Sequence, residues 1–515
     1  MSSASANETQ PLLEGERSTS PLPPSRTSTL LFEPEAGPAS AVGSGEPLAL
    51  GLLLKSLLVD SIPVTLSYVL QNSIQTVSVL VVGRLGPHEL SVAAFSFMLA
   101  TIGEIVSRWC VALGGTTALD TLGSQAYTGG DPKSLSVHFQ RCLILLWLLF
   151  IPVGFLWANL EPILLFLGQQ PDLSRDVQRF MSMLLLGAPG YIGFESLKKY
   201  LQCQGIMRAS TIVLILISPI NLILNVFFVH YTPLGLLGSP AAISVTLTLC
   251  FLFLGIFAYF SPAHRANNTW VTANITTVLN ARSCIQFLSL AIPGILMVGT
   301  EWAAFEIVAL AAGHLGPLPL AAQSVIMTAD QVLNNIPFGI GVAASTRVGS
   351  LIGGRHAQGA KQASHASALL SSIIGLLIMI VLLACRNVFG YVFSEDEEVI
   401  RRVSKVMPLV ASFQIWDCLA GSCGGVLRGL GRQHLGAMFN LIAYYVLALP
   451  MGIALAFLPQ MQLGLQGLWI GQVVALTIIA LGEYAFIWLA IDWEREVQLC
   501  IEQNEAEAKR LRVHD

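Results

Sequence analysis

Apolar runs of about twenty residues and more, separated by short polar or Gly/Pro breaks, recur from about residue 50 to residue 490. In hydrocarbon every backbone N–H and C=O needs an internal partner, so a chain patterned this way crosses a bilayer as helices or as a closed barrel. Runs of this length fit helices. The first six are about 53–82, 90–116, 139–167, 176–200, 210–230 and 238–260, and the second six about 285–312, 320–346, 366–393, 403–427, 435–458 and 466–490. The expected fold is all-α and integral to the membrane, with twelve transmembrane helices.

Charge follows the same plan. Lys and Arg number 27 and Asp and Glu 31, and 19 of these 58 lie in residues 1–50 and 491–515. The chain divides into a polar N-terminal tail over 1–50, six spans over 51–260, a polar connection over 261–284, six spans over 285–490 and a C-terminal tail over 491–515. The first 40 residues, rich in Ser, Pro and Glu, are the opposite of a cleavable signal peptide and read as disordered. An even number of spans puts both tails on one side.

The positive-inside rule gives the side. With cytoplasmic ends, the short inner loops and their margins hold Lys133, Lys198, Lys199, Arg208, Arg265, Arg282, Arg347, Arg355, Lys361, Arg428 and Arg432. The outer loops hold only Arg84, Arg175, Arg386, Arg401 and Arg402. Two glycosylation triplets, Asn267-Asn268-Thr269 and Asn274-Ile275-Thr276, argue the other way, but such triplets arise often by chance. The charge count therefore decides for cytoplasmic termini. In the N-terminal tail, an acid four residues before a Leu pair (Glu8, Leu12, Leu13) fits a sorting-adaptor signal and points to a vacuolar membrane, with the plasma membrane as the alternative.

The two halves resemble each other. Residues 83–90 read GRLGPHEL and 313–320 read GHLGPLPL, at an offset of 230; LGLLG at 234–238 matches LGLQG at 463–467, at an offset of 229. Two matches in register imply a duplicated six-helix unit, and six being even, the two lobes are parallel copies about an axis along the membrane normal.

Within Ile285–Ala312 the only charges are Glu301 and Glu306. A carboxylate at membrane depth needs a water-filled cavity, a partner or a proton. Five residues separate the two, so they stand about 140° apart around the helix and cannot share one direction. Glu301, beside Trp302 and Phe305, is the better cavity candidate; Glu306 turns toward helices behind. Asp417, next to Trp416, is a third deep acid, whose alternative reading is an ion pair with Arg428. Asp330 and Glu483 are weaker candidates, and Glu104 with Arg108 form an i, i+4 pair that neutralises itself. Moving back by the repeat offset from Glu301 lands on Gln71, with Asn72 beside it; Tyr445 completes the candidate cavity set. Ionisable chemistry thus concentrates in the second half. Pro293, eight residues before Glu301, can bend that helix.

Nucleotide-binding, zinc-protease and serine-hydrolase signatures are absent from the sequence, and nine scattered cysteines show no disulfide or metal spacing. No clustered basic face suggests nucleic acid. Neither an enzyme nor a cofactor is expected, and transport would draw on an ion gradient.

These residues together resemble the multidrug and toxic compound extrusion (MATE) family, specifically a eukaryotic, fungal member. The resemblance covers about residues 50–490. It rests on the G-x-L-G-P after the first span, Asp120-Thr121-Leu122-Gly123-Ser124-Gln125-Ala126-Tyr127 and Lys199-Tyr200-Leu201-Gln202-Cys203-Gln204-Gly205. It continues through Glu301-Trp302-Ala303-Ala304-Phe305-Glu306, Ala344-Ser345-Thr346-Arg347-Val348-Gly349 and Gly424-Gly425-Val426-Leu427-Arg428-Gly429. The resemblance implies two lobes in a V around a central cavity, a functional monomer in lipid, and export of organic cations or amphiphilic xenobiotics in exchange for protons. Sodium is the alternative coupling ion. By this resemblance Glu301, Glu306 and Asp417 match the coupling acids. Where animal members have a further glutamate this chain has Thr328, with Asp330 two positions on. The rival classes are a lipid-linked flippase or polysaccharide exporter, which would show several deep basic residues, and an intramembrane enzyme or scaffold, which would show a His or Ser constellation.

Overall fold

The computed structural model describes residues 50–102, 110–166 and 168–512. The tail with its Glu8–Leu13 motif and the pair Glu104 and Arg108 lie outside the described residues. The first half comprises α1 (Leu50–Val82), α2 (Pro87–Ile102), α3 (Thr117–Thr128), α4 (Ser134–Ala158), α5 (Leu160–Phe166), α6 (Pro171–Leu185), α7 (Ala188–Cys203), α8 (Ala209–His230) and α9 (Gly238–Phe260). Two short helices, α10 (Pro262–Asn267) and α11 (Ile275–Val278), form the connection. The second half comprises α12 (Ala281–His314), α13 (Pro317–Leu333), α14 (Asn335–Gly353), α15 (Ala357–Cys385), α16 (Glu397–Leu430), α17 (Gln433–Asn440), α18 (Leu449–Phe457) and α19 (Leu465–Leu489). A last helix, α20 (Trp493–Arg512), follows it. There is no strand among the described residues.

Among the described residues, ten helical segments are long and apolar enough to cross a membrane, and α6 with α7, bent by 45° at their junction, make an eleventh. Residues 103–109, between α2 and α3, lie outside the described residues. The fold is the all-α, two-lobe plan expected from the sequence.

Backbone conformation repeats between the halves as the sequence does. Left-handed residues occur in pairs at matching places: Gly205 (φ 80) and Gly431 (φ 77) just after α7 and α16, and Gly235 (φ 52) and Gly464 (φ 56) just before α9 and α19. Such φ values are the region where a Cβ is costly, which is why glycine recurs there. The copies differ in one respect. The bent pair α6 and α7 corresponds to the single helix α16, which runs through Pro408 without a break.

Between membrane helices there is no hydrophobic drive to associate, so contact depends on close approach at small residues. Within the second half, α14 and α16 meet at Gly341 and Gly425, where an added Cβ on Gly425 would overlap the Gly341 carbonyl. The halves meet in the same way. Gly114 lies against the backbone of Ile295 at 2.6 Å from where its Cβ would be, and Gly353 sits against the Gln125 carbonyl. Side chains of α3 close this face further: Thr121 Oγ1 donates to Arg428 O (2.5 Å), Gln125 Nε2 to Gly429 O (2.9 Å) and Thr128 Oγ1 to Ser350 O (2.7 Å).

Helix α20 crosses this closed end. Trp493, Val497 and Cys500 pack into an apolar cluster with α14 and α15, and Glu496 accepts from Arg432 at 2.6 Å. On the other half, Glu507 pairs with buried Arg141 of α4 at 2.9 Å, and Ser283 Oγ donates to Glu507 at 2.7 Å. Burial pushes the Glu507 carboxyl up, but neighbouring His138, the Arg141 guanidinium and the Ser283 hydrogen bond outweigh it, and the group is held below the ordinary carboxylate range.

One expectation is corrected here. Lys198, Lys199 and Arg428 are not loop-margin charges; all three are buried in helices, at 1%, 1% and 5% exposure. Each has a carboxylate near it: Glu195 for Lys198, and Asp120 for both Lys199 and Arg428.

Two outcomes follow from this packing. Gly425→Ala, which collides inside one half, should lower the thermal midpoint of the purified protein. Gly353→Ala should instead leave the midpoint less affected and increase cysteine labelling at the closed face. Equal behaviour of the two variants would show that the inter-half contact has no separate role. Glu507→Ala strands the buried Arg141 charge and should cost about 3–5 kcal/mol, read as faster amide exchange over 493–512. Because the Glu507 pKa is depressed on folding, its contribution is complete above the ordinary value of about 4.3 and is lost as pH falls through the lower folded value. Amide protection of α20 should therefore be flat between pH 5 and 7; loss already at pH 6 would contradict the assignment.

Candidate functional site

Four helices of the second half each bring one acid toward the same region: α12 Glu301, α13 Asp330, α16 Asp417 and α19 Glu483. Glu301, Asp417 and Glu483 line a cavity of about 50 Å³ together with Trp302, Asn440 and Arg428. Asp330 stands beside it, accepting from Gln414 Nε2 at 2.9 Å, and lies within electrostatic reach of both Glu301 and Asp417.

The local sequence explains why the acids converge. Asp417 and Arg428 are eleven residues apart, three helical turns, so they share one face of α16 at about 16 Å along its axis. Gly421, Gly424 and Gly425 lie between them and admit Pro337, Met297 and the α14 backbone. Gly424 and Gly436 leave the space that the Glu483 carboxylate fills. The second-half helix after α17 relaxes into a π-helical turn at Leu441–Ala448, next to the site. From here and from α17, Tyr445 OH donates to Thr300 O (3.0 Å) and Asn440 Nδ2 to Met297 O (2.8 Å), which fixes α12 around Glu301.

The cluster is strongly unbalanced. Asp417 Oδ2 and both Glu483 carboxylate oxygens are buried with no hydrogen-bond partner among the described residues. Arg428 is the basic residue of the lining, and it faces away in part: its Nε lies 3.7 Å from Asp120 of α3, which Lys199 Nζ already holds at 2.9 and 3.0 Å. The alternative pairing of Asp417 with Arg428 is not what the geometry gives.

The remaining sequence candidates divide by direction. Trp302 lines the cavity and is 37% exposed. Phe305 does not line it; the ring is buried edge-on against Phe413 at 5.7 Å, because its helix face points into the apolar core. Glu306 and Trp416 are half-buried and are not among the lining residues. Asp330 is buried, whereas Thr328 faces outward and its hydroxyl donates back to Ser324 O of the same helix. Asn72 reaches across to Asn335 at 3.2 Å. Gln71 belongs to a separate cluster in the first half: its Nε2 donates to Glu195 Oε1 (2.8 Å), and Lys198 Nζ donates to the same oxygen (2.8 Å) while sitting 3.9 Å from the centre of the Tyr68 ring. Glu195 was missed by sequence reasoning. The available signal was a Glu and a Lys three apart, facing one way inside an otherwise apolar span.

A volume of about 50 Å³ holds a few waters but not a drug-sized molecule, which needs roughly 300–1,000 Å³.

The family description MatE matches residues 63–227 and 293–454, one segment in each half. An uncharacterized transporter of Schizosaccharomyces pombe is 36% identical over 510 residues, covering 94% of this chain and 92% of the relative. Multidrug and toxin extrusion protein 2 of Mus musculus is 34% identical over 437 residues, covering 84% and 74%. The crystal structure of the eukaryotic MATE transporter AtDTX14 superposes with a TM-score of 0.78 at 28% identity, over 88% of this chain and 99% of that one.

Asp120 is the counter-charge for two buried cations from different halves. Asp120→Asn should cost about 3–5 kcal/mol of stability, because Lys199 and Arg428 stay buried without it. Gln125→Ala, which removes one neutral contact of the same face, should cost about 0.5–1.5 kcal/mol. Similar midpoint shifts for both variants in thermal unfolding would refute the shared-anion role.

Proposed function

The chain belongs to the MatE family of membrane transporters, and from that premise we propose that it exports organic cations or amphiphilic xenobiotics by exchange with protons. The observation that supports this reading most is the acid cluster: four carboxyls from four helices, set around one small cavity with a single guanidinium that is shared with Asp120. Two unit charges 4 Å apart repel by about 4 kcal/mol at an effective dielectric of 20. Such a group cannot hold all its charges bare, so it retains protons or takes a cation.

Exchange follows from that competition. Deprotonated, the cluster attracts a cationic guest whose apolar body lies on Trp302; protonated from the acidic side, it loses that attraction and releases the guest. One pH unit across the membrane is worth about 1.4 kcal/mol per proton, about tenfold in concentration. Glu301 and Asp417, which line the cavity, are proposed as the exchanging pair, with Asp330 and Glu483 setting the field. Glu306, outside the lining, is proposed to act through the helix packing behind α12. Rocking of the two halves would open the face held by α3, α14 and α16.

Cytoplasmic termini remain the proposed orientation. Without Lys198, Lys199 and Arg428, the inner side still holds Lys133, Arg208, Arg265, Arg282, Arg347, Arg355, Lys361 and Arg432, against Arg84, Arg175, Arg179, Arg386, Arg401 and Arg402. A vacuolar or plasma membrane fits this reading, as does a monomer.

Reconstituted vesicles test the exchange. Cation uptake driven by an imposed pH gradient should fall at least tenfold in Glu301→Gln, with the protein folded and its thermal midpoint retained. Replacing sodium at a fixed pH gradient should change nothing. Normal uptake by Glu301→Gln would remove the mechanism, and loss of uptake on sodium removal would assign the coupling to sodium.

A further inference from the structure

A second cavity, of about 780 Å³, lies far from the acids, where α9 ends and the connection between the halves begins. Its inner wall is a set of rings from three separate segments. Phe139 of α4 and Tyr200 of α7 lie 5.1 Å apart, and Trp270 of the connection lies 6.2 and 6.3 Å from them. Its outer wall is the membrane-facing side of α9, where Leu252 and Ile256 are 52% and 53% exposed. The slot therefore opens sideways on the exposed apolar side of α9, at the end of that apolar span.

The polar groups at the inner end are used up. Tyr200 OH shares hydrogen bonds with Thr269 Oγ1 (2.7 Å) and His264 Nε2 (3.0 Å), and Asn267 Nδ2 donates to Gln204 (3.3 Å). Burial lowers the His264 imidazole below its ordinary range, so it is neutral near pH 7. Arg265 at the rim is different. Its Nε donates to Tyr259 O at 2.8 Å and its guanidinium lies 5.3 Å from the Tyr259 ring, yet its two terminal nitrogens meet no acceptor among the described residues. No carboxylate lines the cavity.

We infer that this cavity binds one anionic phospholipid, with the phosphate on Arg265 and an acyl chain in the slot floored by Phe139, Tyr200 and Trp270. Charge selects the occupant: a lone cation over an acid-free apolar slot repels the organic cations of the transport site and attracts a phosphate. Shape excludes a free anion as the natural guest, because it would leave exposed Trp270 and the α9 face uncovered. The same lipid would cover the segment that ties the halves together, since Ser136 and Gln140 of α4 donate to Val271 O (2.9 and 2.6 Å), next to Trp270.

The full-length protein in detergent, titrated with dioleoyl phosphatidylglycerol or dioleoyl phosphatidylcholine, tests this by native mass spectrometry. One phosphatidylglycerol should be retained per chain with about fivefold preference, the equivalent of about 1 kcal/mol for one basic group near a lipid phosphate. Arg265→Gln should bring the two lipids to parity, Arg265→Lys should keep most of the preference, and Trp270→Ala should weaken both lipids. Arg401→Gln, at a distant surface ion pair, should change nothing. Equal retention by the wild type, or a preference that survives Arg265→Gln, overturns the assignment. So does stronger retention of cholesterol, or competition by inorganic phosphate as effective as that by the lipid. If Arg265→Gln does not fold, the lysine variant and the phosphate competition decide.

Discussion

A charge placed inside hydrocarbon has to be answered on the spot, and in this molecule the guanidinium of Arg428 stands between the charged groups of the two halves. It lines the cavity that holds Glu301, Asp417 and Glu483, and it reaches Asp120, the anion that Lys199 also occupies. Lysine could not do the same work. Its point charge would satisfy one site, whereas a planar fork can face two directions from one buried position. The acid cluster and the closed face between the halves are thus joined through a single side chain. A change in the net charge of the acids changes the field at the residue that holds α3 against α16.

Close backbone approach makes that arrangement possible. Gly341 is 3.0 Å from Arg428 Nη2 at the position its Cβ would take, and Gly424 and Gly425 face Met297 and the Gly341 carbonyl. Any side chain at these positions would fill the space between α14 and α16 that the arginine runs through. The small residues of this part of α16 therefore have two roles that cannot be separated: they let helices pack without a hydrophobic drive, and they leave a polar passage inside the packing. Glu483 depends on the same vacancy, through Gly424 and Gly436.

The fold was legible because its signals are local. Spans and the G-x-L-G-P repeat follow from patterns within one helix and its ends. The acids on α12 and α16 were legible for a similar reason, since a carboxylate in an apolar run stands out whatever surrounds it. Direction was not. Phe305, four residues from Glu301, shares a sequence neighbourhood with it but turns into the ring stack with Phe413. Asp330 and Thr328 are two apart and face opposite ways. The basic residues failed hardest, because a Lys near a span end reads as a loop charge unless its partner is known. The partner of Lys199 is 79 positions away, and that of Arg428 is in the other half. A duplicated scaffold hides such pairs further, since they are not repeated in its second copy.

Helix α20 shows what the pairing logic does outside the membrane. Its grip on the second half combines the apolar contacts of Trp493, Val497 and Cys500 with the Glu496–Arg432 ion pair, and it follows α19 after a short link. Its grip on the first half is concentrated in Glu507 with Arg141. Arg141 also donates to Val278 O of the connection at 2.9 Å, so the two segments that bridge the halves converge on one buried cation. Apolar contact spread over about two turns yields gradually, but a buried ion pair yields all at once, since separating it leaves charge without a partner. Separating α20 from the first half would therefore concentrate its cost at Arg141, although the halves themselves also meet in continuous apolar packing of α1 on α14 and α15.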